Sequence, residues 1–565
     1  MIDITVYKGA IFNQEITQKI ISQFPCSNKY ISGDITILYN NRTDFTNDNL
    51  FFENSKYCIA VGGIILNRQD LVNKNASRSF IDFLIRGFES DKNNFIRNIL
   101  GDYFILIYRK DVDKLYIYND PKSSIPIYYT EGEITIISTR IYFISAISKI
   151  IDRKLNLNNL GAYFLITYGF MLDDTTLIKE VKKLKPGACI SVENNGIETK
   201  RYFTFQNTPF HDKSTNELEK EFYARFQQAI TLEYQKDLEY SRDHLATLSG
   251  GLDSRFCVFT ANSLGYYTTN VTISQTNYLD EKIAKRMSTD LNNDFIFLSI
   301  DSSRHLQELG EIVKNNDGLI LYSGSAHIYA SLKKIGFGEF GLLHTGMIGD
   351  AVTGSMLKKP VHIKPRPQTG AYSGKLLSKI QNEVLNICSD YENNEMFLLY
   401  NRLFNGVLNG HLVIRNFVLA TSPFLNTNLL DYALKISPKD KFGQNIYRNC
   451  IKKFQPRAYK YKWETTSLKP RFSPRIKYLT KGVIYSYSKM LGKKDLYISM
   501  NPFDYWYKYK QDLREFMDNT FMENVDLLNQ YQDLKNDCTF LFKNGTVHEK
   551  AQVLTLLEAI KLHNL

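Results

Sequence analysis

The stretch His244–Phe259, HLATLSGGLDSRFCVF, restricts the second half of the chain to very few architectures. A short apolar run reads as a strand, two adjacent glycines make a turn, and an apolar run with helical spacing follows at once. Strands and helices go on alternating downstream. TTNVTIS reads as a strand, LDEKIAKRMSTDL as a helix, FIFLSI as a strand, and GLLHTG as a further strand that ends in a second glycine turn. Strands alternating with helices predict a parallel sheet covered by helices on both faces. Ligands of such sheets sit beyond the carboxyl ends of the strands, at the turns into helices. Both glycine turns fall there. Beyond position 360 the pattern is mainly helical, with basic loops KKPVHIKPRP and RAYKYKWE.

The first third has a different rhythm. KYCIAVGGIIL, DYFILIYRK, KLYIYND, IPIYYTEGEITIIST and ACISVEN alternate or run apolar and break at Asn, Asp, Gly and Pro, as strands in stacked sheets do. A polar segment around Pro209 reads as a linker, and LEKEFYARFQQAITLEYQ has helical periodicity. The expected division is therefore residues 1–205 and 206–565, and 565 residues suffice for two buried cores.

The net charge of +11 favours an anionic partner, but the basic residues are spread along the chain and no nucleic-acid recognition motif occurs. The seven cysteines are scattered, form no C-x-x-C pair and suit a reducing cytosol. No apolar run is long enough to span a bilayer, and the first residues lack signal-peptide character. The expectation is a cytoplasmic protein.

In the first glycine turn, Gly250 and Gly251 let a bulky anion approach the backbone, and a helix starting near Ser254 directs its positive end at the same point. Ser249 and Ser254 add hydroxyl donors. A bare phosphate would be repelled by Asp253, unless Mg2+ bridges the two.

Ser249-Gly250-Gly251-Leu252-Asp253-Ser254 resembles the pyrophosphate-binding loop of the asparagine synthetase-like ATP pyrophosphatases, and three further stretches extend the resemblance. LDEKIA (279–284) is similar to the family's D-E-x-x-A helix start, TGMIGDAVTGS (345–355) to its second glycine turn, and SPFLNTNLLDYALKISPKDK to its P-F-L-D segment. The resemblance implies an α/β protein: an N-terminal Ntn-hydrolase-like αββα sandwich, then a parallel-sheet PP-loop synthetase domain with a helical C-terminal part. It implies ATP and Mg2+, the metal shared by Asp253 and Asp350, each of which would end a parallel strand, with Ser274, Gly346 and Arg448 joining the first loop in nucleotide binding. KYKWE falls where the family carries a catalytic lysine, so Lys462 is the first candidate and Lys460 the second.

The chain also departs from the family. Glutamine-dependent members expose an N-terminal Cys, whereas Ile2 stands here; their Asn-Gly-Glu reads Val61-Gly62-Gly63, and an Asp reads Leu100. Without a thiolate nucleophile, glutamine hydrolysis is not expected. Met347, Ala351 and Gln444 replace polar or charged family residues in the synthetase half. The expected activity is an ATP-dependent ligase that joins an activated carboxylate to a substrate amine. One form is lasso-peptide macrolactam formation, with a precursor peptide and a partner protease. The others are amidation of a small-molecule or sugar acid, and a non-catalytic nucleotide-binding pseudo-synthetase.

Overall fold

The computed structural model describes residues 3–42, 44–193, 196–471 and 499–565; Ile2 lies outside them. Two six-stranded sheets are built from the first 201 residues. One has the order Val181–Lys183, Tyr128–Thr130, Thr135–Ser138, Asp3–Lys8, Ile35–Asn40, Asn28–Ser32; the other has the order Gly196–Arg201, Ala188–Glu193, Lys114–Asn119, Gly101–Arg109, Tyr57–Ile65, Leu50–Glu53. The strand pairs registered in these sheets are antiparallel, for example Val6 opposite Ile37 and Val61 opposite Ile105.

Period-two alternation decides how these sheets stack. Ile4, Val6 and Ile37 of the first sheet meet Cys58, Ala60, Phe104 and Leu106 of the second in one core. The residues between them face outward. Ile59, Val61, Ile105 and Ile107 pack under the helix Phe80–Ser90, whose Phe83, Leu84 and Phe88 are buried. On the other side, Tyr7, Leu38 and Ile136 pack with the helices Gln14–Gln23 and Ile141–Ile150. The result is four layers, helix–sheet–sheet–helix, and the stacked sheets are those the strand-rich sequence predicts.

The third sheet is parallel, with strands in the order Asp294–Ser299, Thr269–Ser274, Asp243–Thr247, Phe340–His344, Ala420–Thr421. The strand and helix assignments made from HLATLS to GLLHTG all hold. Leu245, Val271, Leu298 and Leu343 enter a core on one face, while Ala246 and Leu248 enter a separate core with Phe226, Phe256 and Leu430. The chain adds strands outward on one side of Asp243–Thr247 and then crosses to its other side at Phe340–His344. That reversal opens a crevice between the carboxyl ends of the two central strands.

A buried carboxylate joins those two strands. Asp237, on the helix Thr215–Glu239, accepts from His244 Nδ1 at 2.8 Å, from His344 Nε2 at 2.7 Å and from the Leu342 N–H at 2.7 Å. Glu233, one turn earlier, lies 3.5 Å from His344 Nδ1. Burial would lower the pKa of His344, but the Asp237 and Glu233 carboxylates hold it up at about 9. Because this pKa is raised above its unfolded value, the ion pair stabilises the fold fully below pH 6.5 and is lost as pH rises through about 9. The thermal midpoint should therefore fall between pH 7 and 10, and Asp237→Ala should cost about 3 kcal/mol or more at pH 7, since it strands buried partners. A loss below about 1 kcal/mol in urea unfolding would contradict this role.

Candidate functional site

Two turns flank the crevice. Asp253 stands six residues past Thr247, where its strand ends, and Asp350 stands six past His344. The turns touch. A Cβ on Gly346 would come within 2.5 Å of the Ser254 nitrogen, and one on Gly349 within 2.8 Å of the Asp253 carboxyl carbon. Only glycines permit that approach. Between them Ile348 is held at φ 62°, a left-handed conformation costly for a β-branched residue, while its side chain is buried.

The approach sets two acids side by side. Asp253 accepts from the Asp350 N–H at 3.0 Å on Oδ2 and from the Tyr447 hydroxyl at 2.8 Å on Oδ1. Burial first, and the Asp350 carboxylate second, push the Asp253 carboxyl up to about 8. A divalent cation would relieve that repulsion, so the donor set suits a hard metal ion.

The glycines of the first turn divide the work. The Gly250 N–H donates to Asp280 Oδ1 at 2.6 Å, and a Cβ there would meet Glu464 and Asp280. Gly250 is thus required for internal packing, and the Asp280 carboxylate takes its N–H. The Ser249 N–H donates to Ser254 Oγ and the Gly251 N–H to Ser249 Oγ, at 3.0 and 3.1 Å. The donors that this geometry offers an anion are the first-turn N–H groups of the helix Asp253–Ser263, at its positive end.

A cavity of about 560 Å³ opens over the two acids. Gly251, Leu252, Asp253, Asp350, Lys358, Gln444, Trp463 and Thr465 are among the residues lining it. Gln444 is a non-glycine residue at φ 59° whose buried Oε1 has no hydrogen-bond partner among the described residues. Ser274 and Arg448 lie outside the lining. Ser274 is buried at the end of the neighbouring strand, and Arg448 donates to the Pro470 carbonyl at 3.2 Å.

The lysine candidates are placed unevenly. Lys462 and Lys460 have exposed side chains and neither lines the cavity. What reaches the site is the backbone of their segment. The buried Arg255 donates to the carbonyls of Ala458, Tyr461, Lys462 and Gly250, the last two at 2.6 and 2.9 Å, while the Glu464 N–H donates to the Gly250 carbonyl at 3.0 Å. Arg255, Tyr447 and the acceptor role of Asp280 escape sequence reasoning. Their only local signal is a charged or polar residue on an otherwise apolar helix face.

In the first half, Asp102 and Asp120 lie 3.4 and 3.2 Å from the buried Lys122 Nζ, and the Gly63 N–H donates to Asn49 Oδ1. All seven cysteines are free, and burial pushes the thiols of Cys58 and Cys189 up to about 12. Among the described residues no helix is long and apolar enough to cross a membrane.

Residues 32–203 match a glutamine amidotransferase domain family. Over 299 residues, 50% of this chain, the sequence is 24% identical to the glutamine-hydrolysing asparagine synthetase 1 of Bacillus subtilis (strain 168), and the match covers 45% of that protein. The chain thus spans less than half the length of this curated relative. Among solved structures it is similar to the glutamine phosphoribosylpyrophosphate amidotransferase of B. subtilis complexed with ADP and GMP, at 11% identity and a TM-score of 0.25, over 49% of this chain and 67% of that one. A structure described as the allosteric regulatory enzyme of purine biosynthesis matches with 11% identity and a TM-score of 0.24, over 49% and 60% of the two chains.

A raised Asp253 pKa has a measurable sign. The folded protein holds this proton more tightly than the unfolded chain, so Asp253 costs stability progressively as pH rises from about 4 to about 8. Asp253→Asn should melt at a higher temperature than the wild type, with a gap that widens from pH 5 to 8 and levels off above. A gap independent of pH in differential scanning calorimetry would contradict the crowding of the two carboxyls.

Proposed function

We propose, from its similarity to a glutamine amidotransferase domain and to an asparagine synthetase, that this chain is an ATP-dependent ligase that adenylates a carboxylate and passes the acyl group to a substrate amine, without hydrolysing glutamine. The observation that carries this reading is the contact of Asp253 with the Asp350 N–H across two glycine turns, at the point where the parallel sheet reverses. In these terms residues 1–205 are an Ntn-hydrolase-like scaffold and residues 206–565 a PP-loop synthetase domain.

The reaction balances as two displacements. A carboxylate oxygen attacks the α-phosphorus of ATP, the bond to the β-phosphate oxygen breaks, and pyrophosphate leaves. A neutral amine then attacks the acyl carbon, AMP leaves with the electron pair of the C–O bond, and the amine loses a proton. When bound, Mg2+ supplies charge neutralisation for the pyrophosphate that departs. Asp253 and Asp350 would hold the ion, with Tyr447 keeping Asp253 in place. The first turn of the helix Asp253–Ser263 offers its N–H groups to phosphate oxygens. Arg255 fixes the segment 458–464 over the glycine loop, and Lys462, on that segment, is the proposed catalytic ammonium with Lys460 as second choice. Ser274 and Arg448 remain proposed nucleotide contacts, together with Gly346.

Nitrogen from glutamine would need an activated thiolate. The six buried cysteines have raised thiol pKa values, and Val61-Gly62-Gly63 offers no side-chain hydrogen-bonding group. On this reading the amine comes with the substrate. The finer reading is a peptide macrolactam synthetase, supported by the net charge of +11. The free cysteines suit work in the reducing cytosol.

Exchange of labelled pyrophosphate into ATP, stimulated by a panel of acidic peptides, amino acids and sugar acids, tests the proposal. At least one class should stimulate exchange, and Asp253→Ala should reduce it by about 100-fold or more. Exchange that survives removal of both Asp253 and Asp350, or release of glutamate from glutamine, would overturn it.

A further inference from the structure

We propose that Lys358 is the cation that binds the β- and γ-phosphates of the nucleotide in the cavity over Asp253 and Asp350, an assignment that rests on the ATP-dependent reading above. Charge on the cavity wall motivates it. The lining carries two acids, and Lys358 is the one basic residue in it among the described residues. A polyphosphate placed beside two carboxylates needs more positive charge than one divalent ion supplies, and helix-end N–H groups contribute only partial charges. Lys460 and Lys462 do not line this space, whereas Lys358 does.

The backbone that delivers Lys358 is anchored on the same turn as Asp350. The residues after Asp350 coil tightly over Ala351–Ser355, with the Thr353 hydroxyl donating to the Gly349 carbonyl at 2.7 Å. Gly354, at φ 117°, lies so close to the Lys441 carbonyl that a Cβ would come within 2.2 Å of it. Lys441 is itself immobilised: its buried ammonium pairs with Glu395 and donates to the Leu434 carbonyl at 3.2 Å. Three residues beyond Ser355, the exposed Lys358 side chain thus projects from a fixed base while remaining long enough to follow a phosphate. An exposed ammonium is ordinarily a solvated surface group. Its position on the wall shared with two crowded carboxylates, on a coil that leads directly from one of them, assigns it to the ligand instead.

The test is isothermal titration of the full chain with MgATP and, separately, with AMP, which lacks the β- and γ-phosphates. Lys358→Ala should weaken MgATP binding by about 10-fold or more and leave AMP binding within about 2-fold. Lys358→Arg should restore most of the MgATP affinity, and Lys359→Ala, at the exposed neighbour outside the lining, should bind as the wild type does. Equal binding of MgATP by Lys358→Ala and the wild type, where Asp253→Asn abolishes it, would overturn the role of Lys358 alone. Parallel losses for MgATP and AMP would do the same. Absence of MgATP binding by the wild type would overturn the ATP-dependent reading and this inference together.

Discussion

The buried Asp237 carboxylate is the interaction on which the site depends. It takes a hydrogen bond from each of two central strands, through His244 and His344, and a third from the backbone of Leu342. Those strands run into the two glycine turns, so their relative height fixes where Asp253 and Asp350 emerge. Parallel pairing alone leaves some freedom, and the register between these two strands does contain an irregularity, near Asp243 and Leu245. A charged pivot between the strand pair and the covering helix removes that freedom at the cost of desolvating several ionisable groups. Its hydrogen bonds satisfy most of them, and Glu233 and Thr421 extend the network to the last strand of the sheet.

From this base the site follows by close approach. Glycine at 346 and 349 brings the second turn against Asp253, and burial first, with the Asp350 carboxylate second, holds the Asp253 carboxyl above its ordinary pKa. The same geometry that destabilises the unliganded protein creates a place for a divalent ion. Strain at Ile348 and Gln444 adds to the picture, since both sit in left-handed conformations at the edge of the crevice. Such costs persist where the surrounding packing over-determines them, and they cluster at sites of function. Arg255 completes the frame by tying the loop to a segment more than 200 residues away, through backbone carbonyls alone.

The parallel sheet was legible in the sequence because its signals are local: apolar strands, helical spacing and glycine turns within a few residues of one another. The strand Asp3–Lys8 was not. It is central in its sheet, but Asp3, Thr5 and Lys8 are buried among partners from distant segments, so polar residues hide the alternation. The helix Asn159–Tyr168 is buried on nearly every side and carries no polar stripe for periodicity to detect. In the site, the pairing of Asp253 with Asp350 could be inferred from equivalent positions after two strands. The direction of a lysine side chain could not. Position along the chain singled out Lys462, yet three-dimensional packing exposes it and puts Lys358 on the cavity wall. Gly250 shows the same limit, since a glycine turn read from sequence does not reveal that Asp280 takes its N–H.

Binding of Mn2+, a paramagnetic substitute for Mg2+, in the presence of ATP tests most directly whether the two turns form one metal–nucleotide site. Electron paramagnetic resonance should detect one tightly bound ion per chain in the wild type, and Asp253→Asn or Asp350→Asn should each weaken it by about 10-fold or more. Undiminished Mn2+ binding by a variant that lacks both carboxylates would contradict the account.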